Sequence, residues 1–215
     1  MKNLLLLTVG LLMMVNPGCT PYVKEGGPAT EPVQKPIKGG TSDVVGFHTF
    51  NVYTEEKAKD NHFVPSGWMG DVEYIEVDQG SLRNPHSGRT CLKISYIPMA
   101  AGKGWAGIYW QNPANNWGEV DGGFDLRGAV RLTFWARGKS GGEVCEFKIG
   151  GIKGAYPDSD SATTGPVTLT SAWKMYSIDL TLKDLSYISG GFCWVAKASD
   201  NPEGCILYLD DIRYE

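Results

Sequence analysis

The chain consists largely of short runs of Val, Ile, Tyr, Phe and Trp separated by Gly, Pro, Asn and Asp, and helical periodicity is hard to find. β-Branched and aromatic residues favour strands, whereas the separating residues favour turns. With 28 glycines in 215 residues, this pattern predicts an all-β domain in which two antiparallel sheets pack as a β-sandwich or jelly roll. The predicted strands are residues 47–53, 73–78, 91–97, 107–111, 129–136, 143–149, 173–180, 191–196 and 205–214.

The start of the chain has the pattern of an export signal. Lys2 precedes an apolar run at residues 4–15, which suits a signal peptide but is too short to cross a bilayer as a helix. The run ends in Asn-Pro-Gly-Cys, a partial match to the cleavage site of bacterial lipoproteins. We therefore predict a lipoprotein signal peptide at residues 1–18 and lipidation of Cys19, with an ordinary secretory signal cut nearby as the alternative.

Residues 19–41 are rich in Pro and Gly and poor in apolar side chains, so they cannot bury enough surface to order themselves. We expect a flexible, lipid-anchored tether there, followed by one β-sandwich domain at residues 42–215. Thr20, rather than Asp, follows the predicted lipidated cysteine. The expected localisation is therefore export and anchoring to a bacterial membrane, with the outer membrane or cell surface favoured. The formal net charge of −4, with no basic block, argues against nucleic acid as a partner.

Four cysteines lie in the predicted domain: Cys91, Cys145, Cys193 and Cys205. In an exported protein an even number of cysteines permits two disulfides with three possible connectivities. Cys193 and Cys205 flank a turn-rich segment and could face each other across a hairpin. Four free buried thiols are the alternative, because a domain of this size does not need disulfides to fold.

Residues 104–118 (GWAGIYWQNPANNWG) contain three of the seven tryptophans. Side chains alternate along a strand, which gives two sets: Trp105, Tyr109 and Gln111 on one face, and Ile108 and Trp110 on the other. A strand that is aromatic on both faces has apolar surface beyond what one core needs. The second set therefore either packs under a loop or binds a flat, weakly polar ligand such as a sugar ring.

The same alternation assigns faces to the strands near residues 130 and 146. One set of residues is apolar and belongs to the core, while Trp135 with Arg137, and Glu146 with Lys148, point outward. Rings that stack on sugars, beside planar or charged side chains that bond to hydroxyls, make a candidate binding face. The predicted ligand-binding residues are Trp105, Tyr109, Gln111, Trp135, Arg137, Glu146 and Lys148. We assign Trp110, Phe134 and Trp173 to the core.

The segments FDLRGAVRLTFWARG and YLDDIRYE, with the order of the strands between them, resemble the galactose-binding-like jelly-roll family of carbohydrate-binding modules. The resemblance covers about residues 47–215. It implies a two-sheet sandwich that binds plant or microbial polysaccharides and has no catalytic activity. The partners expected on this basis are a polysaccharide and, through the N-terminal lipid, a membrane.

The resemblance also implies a structural calcium ion where the last strand meets the first part of the domain. Asp210 and Asp211 match the paired acidic motif of the family, and Glu55 and Asp71 are candidate contributors from upstream. Calcium needs six to eight oxygen ligands, some of them from backbone carbonyls. The alternative is that the aspartate pair caps the final strand or forms a salt bridge with Arg213.

Motifs for catalysis are missing from the sequence. The three histidines are scattered, without the spacing of a metal site, and the single GxSxG match, at residues 138–142, lies between two predicted strands and not between a strand and a helix. Glu119 and Asp121 could form the carboxylate pair of a glycosidase, but their context is that of an exposed loop. We therefore predict a non-enzyme that binds polysaccharide. A structural or interaction domain of the cell envelope is the alternative, and a small glycan-active enzyme is a weaker one.

Overall fold

The computed structural model describes residues 46–215, so the predicted signal peptide, Cys19 and the tether lie outside the described residues and stay predictions. The described residues form eleven strands and one short 3-10 helix at Val72–Tyr74. Within residues 46–215 no helix is both long and apolar enough to cross a membrane. The strands are β1 (Phe50–Tyr53), β2 (Val64–Gly70), β3 (Ile75–Ser81), β4 (Cys91–Tyr96), β5 (Trp105–Gln111), β6 (Arg131–Gly138), β7 (Val144–Gly150), β8 (Ser161–Thr168), β9 (Lys174–Asp179), β10 (Gly190–Lys197) and β11 (Cys205–Tyr214).

The strands form two antiparallel sheets, which confirms the predicted all-β sandwich. Sheet A has the order β3-β4-β11-β6-β9, with β1 also paired to β11, and sheet B has the order β2-β5-β10-β7-β8. The chain passes from sheet B to sheet A between β5 and β6, and returns to sheet B between β6 and β7. Strands that are neighbours in sequence are therefore often on opposite sides of the sandwich.

The core lies between the sheets and is filled by the apolar set of each strand. Leu132 and Phe134 of β6 are fully buried, as are Phe147 and Ile149 of β7 and Trp110 of β5. The rings of Phe134 and Phe147 meet across the two sheets at 4.6 Å between centroids. The alternation of side chains therefore predicts correctly which face of each of these strands is internal.

Two strands, β2 and β8, are missing from the sequence-based prediction. Both are edge strands of sheet B. Each contains Pro and Gly, at Pro65 and Gly67 in β2 and at Gly165 and Pro166 in β8, and these residues read as turn signals in the sequence. An edge strand tolerates them because one row of its backbone groups has no partner in the sheet.

All four cysteines of the domain are buried and carry free thiols. The expectation that Cys193 and Cys205 face each other across a hairpin is wrong, because β10 and β11 belong to different sheets. Cys193 aligns with Tyr109 and Lys148 on the outer side of sheet B. Cys205 points inward, where its sulfur lies 3.5 Å from that of Cys145.

Candidate functional site

The predicted binding face is divided between the two sheets. Tyr109, Glu146 and Lys148 lie in sheet B, whereas Trp135 and Arg137 lie in sheet A. The outer faces of two packed sheets point in opposite directions, so these residues do not share one face. The prediction of a single face is wrong because β6 and β7, although consecutive, belong to different sheets.

Trp135, on the outer face of sheet A, is covered by the loop at residues 82–90. The ring of His86 stacks on the ring of Trp135, with 3.7 Å between centroids and 15° between planes. The His86 ring also meets Trp173 edge-on at 6.0 Å. One side of the Trp135 ring is therefore already occupied by the protein itself, and Trp135 does not offer that side to a sugar.

Arg137 is held by the same loop and by neighbouring rings. Its guanidinium lies 3.8 Å from the ring centroid of Tyr208 and 5.1 Å from that of Trp173, and it donates a hydrogen bond to the carbonyl of Arg83 at 2.7 Å. Trp173 is only partly buried, so its assignment to the core is wrong; its indole N–H donates to the carbonyl of Asn84 at 2.9 Å. Arg137 and Trp173 fasten the loop to sheet A.

Asp210, on β11, anchors the loop at residues 82–90 to sheet A. Its carboxylate, fully buried, accepts the backbone N–H groups of His86 at 2.9 Å and Ser87 at 3.1 Å on Oδ2, and that of Asp211 at 2.9 Å on Oδ1. Burial raises the pKa of Asp210 to about 6, despite these bonds and with a further contribution from the negative charge of Asp211. The carboxylate thus serves as the acceptor for three backbone donors.

The other predicted calcium ligands are engaged separately. Asp211 pairs with His86 Nδ1 at 2.9 Å and with Arg213 at 2.7 Å. Glu55 accepts the N–H of Arg89 at 2.7 Å, and it accepts both the N–H of Thr90 at 3.0 Å and its hydroxyl at 2.7 Å. These bonds hold the pKa of Glu55 below its usual value; the hydrogen bond from the Thr90 hydroxyl is the largest cause.

Asp71 is the fourth predicted ligand and belongs to a different cluster. It accepts the hydroxyl of Tyr96 at 2.8 Å, the N–H of Gly104 at 3.1 Å and the N–H of Lys103. No three His, Cys, Asp or Glu side chains are grouped for a metal ion within residues 46–215. The four carboxylates do not fit one calcium site, because they do not converge and because N–H donors occupy the oxygens that would ligate the ion.

The outer face of sheet B is open around Tyr109. The strand registers place Gly67, Tyr109, Cys193, Lys148 and Thr163 in one row across the five strands. The Tyr109 ring lies along the sheet toward β7, where its hydroxyl donates to the carbonyl of Gly150 at 3.0 Å. A Cβ on Gly190 would stand 3.1 Å from the ring, so the absence of a side chain there gives the ring room to lie flat. Burial raises the pKa of Tyr109, which therefore remains a hydroxyl.

Trp117 completes an aromatic corner with Tyr109. The two rings are 5.9 Å apart between centroids and nearly perpendicular at 85°, and Trp117 is 39% exposed. The sequence leaves the role of Trp117 ambiguous, because it lies in a loop where strand alternation assigns no face. The loop places it beside the partly exposed ring of Tyr109.

Gln111 supports that loop and is not available to a ligand. It is fully buried; its Nε2 donates to the carbonyl of Asn116 at 2.9 Å, and its Oε1 accepts the hydroxyl of Ser66 at 2.9 Å. Asn116 in turn accepts the backbone N–H groups of the next residues of the loop. The predicted contact of Gln111 with a ligand is therefore corrected: it shares strand parity with Tyr109, but the loop folds over it.

Charged and hydroxyl side chains lie near Tyr109 on the outer face of sheet B. Glu146 and Lys148 form an ion pair at 3.2 Å, and Glu146 accepts the hydroxyl of Thr163 at 2.7 Å. Burial raises the pKa of Glu146, but the bonds from Thr163 and Lys148 outweigh it, so the pKa lies below its usual value. A shallow depression of about 220 Å³ lies among Tyr109, Lys148 and Thr163. Thr163 is not among the residues predicted from the sequence, because its strand, β8, was not predicted either.

Trp105 stands at the other end of β5. It is 36% exposed and aligns with Lys197 of β10, so it shares the outer face of sheet B with Tyr109. A Cβ on Gly70 would lie 3.0 Å from the Trp105 ring and closer still to its backbone, and Gly70 has a φ of +70°. The glycine therefore allows the edge strand to approach the indole. Together with the loop residue Trp117, the outward-facing residues form the sheet B face: Trp105, Tyr109, Trp117, Glu146, Lys148 and Thr163.

Comparison with solved structures identifies the architecture. The crystal structure of a family 30 carbohydrate-binding module aligns with a TM-score of 0.50 and 16% identity, over 78% of this chain and 98% of the other. The family 30 module of a cellulosomal cellulase of Clostridium thermocellum aligns with a TM-score of 0.50 and 18% identity, over 78% and 97%. The chain has the jelly-roll fold of these carbohydrate-binding modules.

The jelly roll confirms the resemblance seen in the segments FDLRGAVRLTFWARG and YLDDIRYE. No family model and no curated protein matches the sequence. At 16 to 18% identity the structural match establishes the fold alone.

Proposed function

We propose that the protein binds polysaccharide, without cleaving it, on the sheet B face. The observation that carries this proposal is Tyr109, which packs edge-on against Trp117 and shares a shallow depression with Lys148, the partner of Glu146 in an ion pair. A sugar ring has apolar C–H faces that stack on an aromatic ring and hydroxyls that bond to charged groups. Charged partners strengthen such bonds. The fold match supports the proposal, since the solved structures that share the fold are carbohydrate-binding modules.

The face is open and long, which suits a stretch within a polysaccharide chain better than a single terminal sugar. Trp105 and Tyr109 are four residues apart on β5, which corresponds to about 14 Å along a strand. Both are on the same side of the sheet. A ligand that contacts both must therefore span more than one sugar ring.

Glu146 does not suit the role of a catalytic acid. A glycosidase needs a pair of carboxyl groups, one of them with a raised pKa so that it can donate a proton. Glu146 has a lowered pKa and is already bonded to Lys148 and Thr163. Binding without cleavage is the function that this geometry supports best.

Binding is tested by affinity electrophoresis of the full chain against a panel of soluble polysaccharides. We expect retardation by at least one polysaccharide, and affinity at least tenfold weaker, about 1.4 kcal/mol, in Tyr109→Ala and in Trp117→Ala. Met175→Ala is the matched control, because Met175 is an exposed apolar side chain of sheet A. Absence of binding to every polysaccharide would contradict the function; unchanged binding by both alanine variants would contradict the site alone.

We also propose that the protein is exported and held on a bacterial membrane through a lipid on Cys19. This rests on the apolar run at residues 4–15 and on the partial lipoprotein pattern that ends at Cys19. Metabolic labelling with an alkyne fatty acid tests it: the wild-type chain should be labelled and recovered with membranes. Cys19→Ala should lose both properties. Labelling that persists in this variant would contradict the proposed anchor.

A further inference from the structure

Cys145 and Cys205 bring two thiols together across the interior of the sandwich. Cys145 is on β7 of sheet B and Cys205 is on β11 of sheet A, and both side chains point into the core. Their sulfurs are 3.5 Å apart and fully or almost fully buried. The indole N–H of Trp194 donates to the sulfur of Cys145 at 3.2 Å.

The other two cysteines of the domain have different surroundings. Cys91 lies against the carbonyl of Ser81 at 3.6 Å, and Cys193 is on the outer side of sheet B. Their sulfurs are engaged with backbone carbonyls, at 3.6 Å and 3.7 Å respectively. Among the described cysteines, only Cys145 and Cys205 have their sulfur atoms next to each other.

We propose that Cys145 and Cys205 are a modification site, at which oxidation forms a disulfide that joins sheet A to sheet B. Each thiol loses its hydrogen and one sulfur–sulfur bond forms. The two electrons and two protons reduce an external disulfide, such as glutathione disulfide or a disulfide-carrying oxidoreductase, to two thiols.

The two sulfurs are already close to bonding distance. A disulfide has sulfurs about 2.05 Å apart, so the two sulfurs must approach by about 1.5 Å from their 3.5 Å separation. Each side chain can supply part of this by rotation about its Cα–Cβ bond. The link would close a loop of 60 residues between strands of different sheets, and so would restrict the unfolded chain more than a link across a hairpin.

Burial determines when the reaction occurs. The hydrogen bond with Cys145 and burial both raise the pKa of the Cys205 thiol, so the reactive thiolate is disfavoured once the sheets have packed. The bond is therefore expected to form while the sandwich assembles. In the folded, reduced protein the two thiols should resist oxidants.

Peptide mapping tests the proposal on the full chain. The reduced, unfolded protein is refolded with glutathione disulfide and digested with trypsin without reduction. Trypsin places each cysteine of the domain in a separate peptide, with Cys145 in residues 140–148 and Cys205 in residues 198–213. We expect these two peptides to be joined, with a mass two hydrogens below their sum, and the melting temperature of the refolded protein to be at least about 5 °C above that of the reduced protein.

Cys91→Ala is the matched control, since it removes a buried thiol and leaves the pair intact; it should give the same joined peptide. Cys205→Ser should lose both the joined peptide and the rise in melting temperature. If Cys205→Ser does not fold, the proposal is tested by whether the joined peptide appears in the maps of the wild type and of Cys91→Ala. Absence of the joined peptide, or a majority of any other pairing, would overturn the proposal. The outcome is independent of polysaccharide binding.

Discussion

On the outer face of sheet A, Trp135 lies beneath His86, whereas on the outer face of sheet B, Tyr109 borders an open depression. Both faces combine aromatic rings with charged side chains, and both follow the same alternation of residues along a strand. The difference lies in what the loops do. Residues 82–90 fold over sheet A and bond to Asp210, while the loop that carries Trp117 stands beside Tyr109, which is partly exposed and lines a shallow depression.

The comparison shows that an outward-facing tryptophan on a strand is not by itself a binding platform. Trp135 is the centre of a structural cluster, in which a ring, an imidazole and a buried carboxylate hold a loop in place. Tyr109 has a glycine below its ring and a polar ion pair beside it. Two outward aromatic residues therefore have different roles, and experiments can separate them.

The largest effect is expected when the loop over sheet A loses its anchor. Asp210→Ala removes the acceptor of three backbone N–H groups, and a hydrogen bond to a charged group contributes about 1.5–3 kcal/mol. We expect the free energy of unfolding to fall by about 4 kcal/mol, as measured by urea denaturation. Asp200→Ala, in an exposed loop, should change it by less than about 0.5 kcal/mol. If Asp210→Ala is as stable as the wild type, Asp210 does not anchor the loop.

The same carboxylate should make stability depend on pH. Its pKa is raised to about 6 in the folded protein, whereas an unfolded aspartate titrates near about 3.9. The folded state thus holds the proton more tightly, so this contribution is complete below about pH 4 and is lost as the pH rises through about 6. Relative to Asp210→Asn, the wild type should lose up to about 3 kcal/mol of unfolding free energy between about pH 4 and 7. Parallel pH profiles of the two proteins would count against the raised pKa.

Trp135→Ala separates stability from binding. The substitution removes a partly buried ring that packs on His86, and we expect about 2 kcal/mol lower free energy of unfolding. Polysaccharide affinity, measured by titration calorimetry below the melting transition, should stay within about twofold of the wild type. A loss of affinity as large as that of Tyr109→Ala would show that sheet A also binds the ligand.

A smaller effect is expected for the charged side of the sheet B face. Glu146→Gln keeps the shape of the side chain and removes its charge, so a sugar hydroxyl would lose a charge-assisted bond. We expect affinity to weaken by about 1 kcal/mol, or roughly fivefold, as measured by titration calorimetry. Glu76→Gln, an exposed residue of sheet A, is the control. An unchanged affinity for Glu146→Gln would restrict the site to the aromatic corner.

Calcium should have the smallest effect on either face. Four carboxylates already accept hydrogen bonds or take part in ion pairs, and they do not point toward one common position: Glu55, Asp71, Asp210 and Asp211. We expect the melting temperature, measured by scanning calorimetry, to be the same within about 1 °C in millimolar calcium and in excess chelator. A rise of several degrees with calcium would show that these groups rearrange around an ion.

Most strands, and the side of each strand that faces the core, were predictable from the sequence. Both depend on the pattern of residues that are close together in the chain. Phe134 and Phe147 are internal, and Trp135 and Glu146 external, as the alternation of residues predicts. The edge strands β2 and β8 were not predictable in this way. Their prolines and glycines are turn signals in isolation, and only pairing with β5 and β7 makes strands of them.

The candidate site was predictable only in part. Trp105, Tyr109, Glu146 and Lys148 do lie on one sheet, but their role as ligand-binding residues is still a prediction. Gln111 has the correct parity and is nevertheless buried, because the loop after β5 returns over it. Parity describes a strand and contains no information about the loops that cover it.

The sequence by itself determined that the chain forms a β-sandwich and which side of each core strand faces inward, because the two-residue repeat of a strand is a local property. Tertiary structure alone decided that Trp135 and Tyr109 are on opposite sides of the molecule, that Asp210 holds a loop, and that Cys145 meets Cys205. These features depend on which strands pair although they are far apart in the sequence. Such pairing is determined by hydrogen bonds and packing between residues that are not neighbours in the chain.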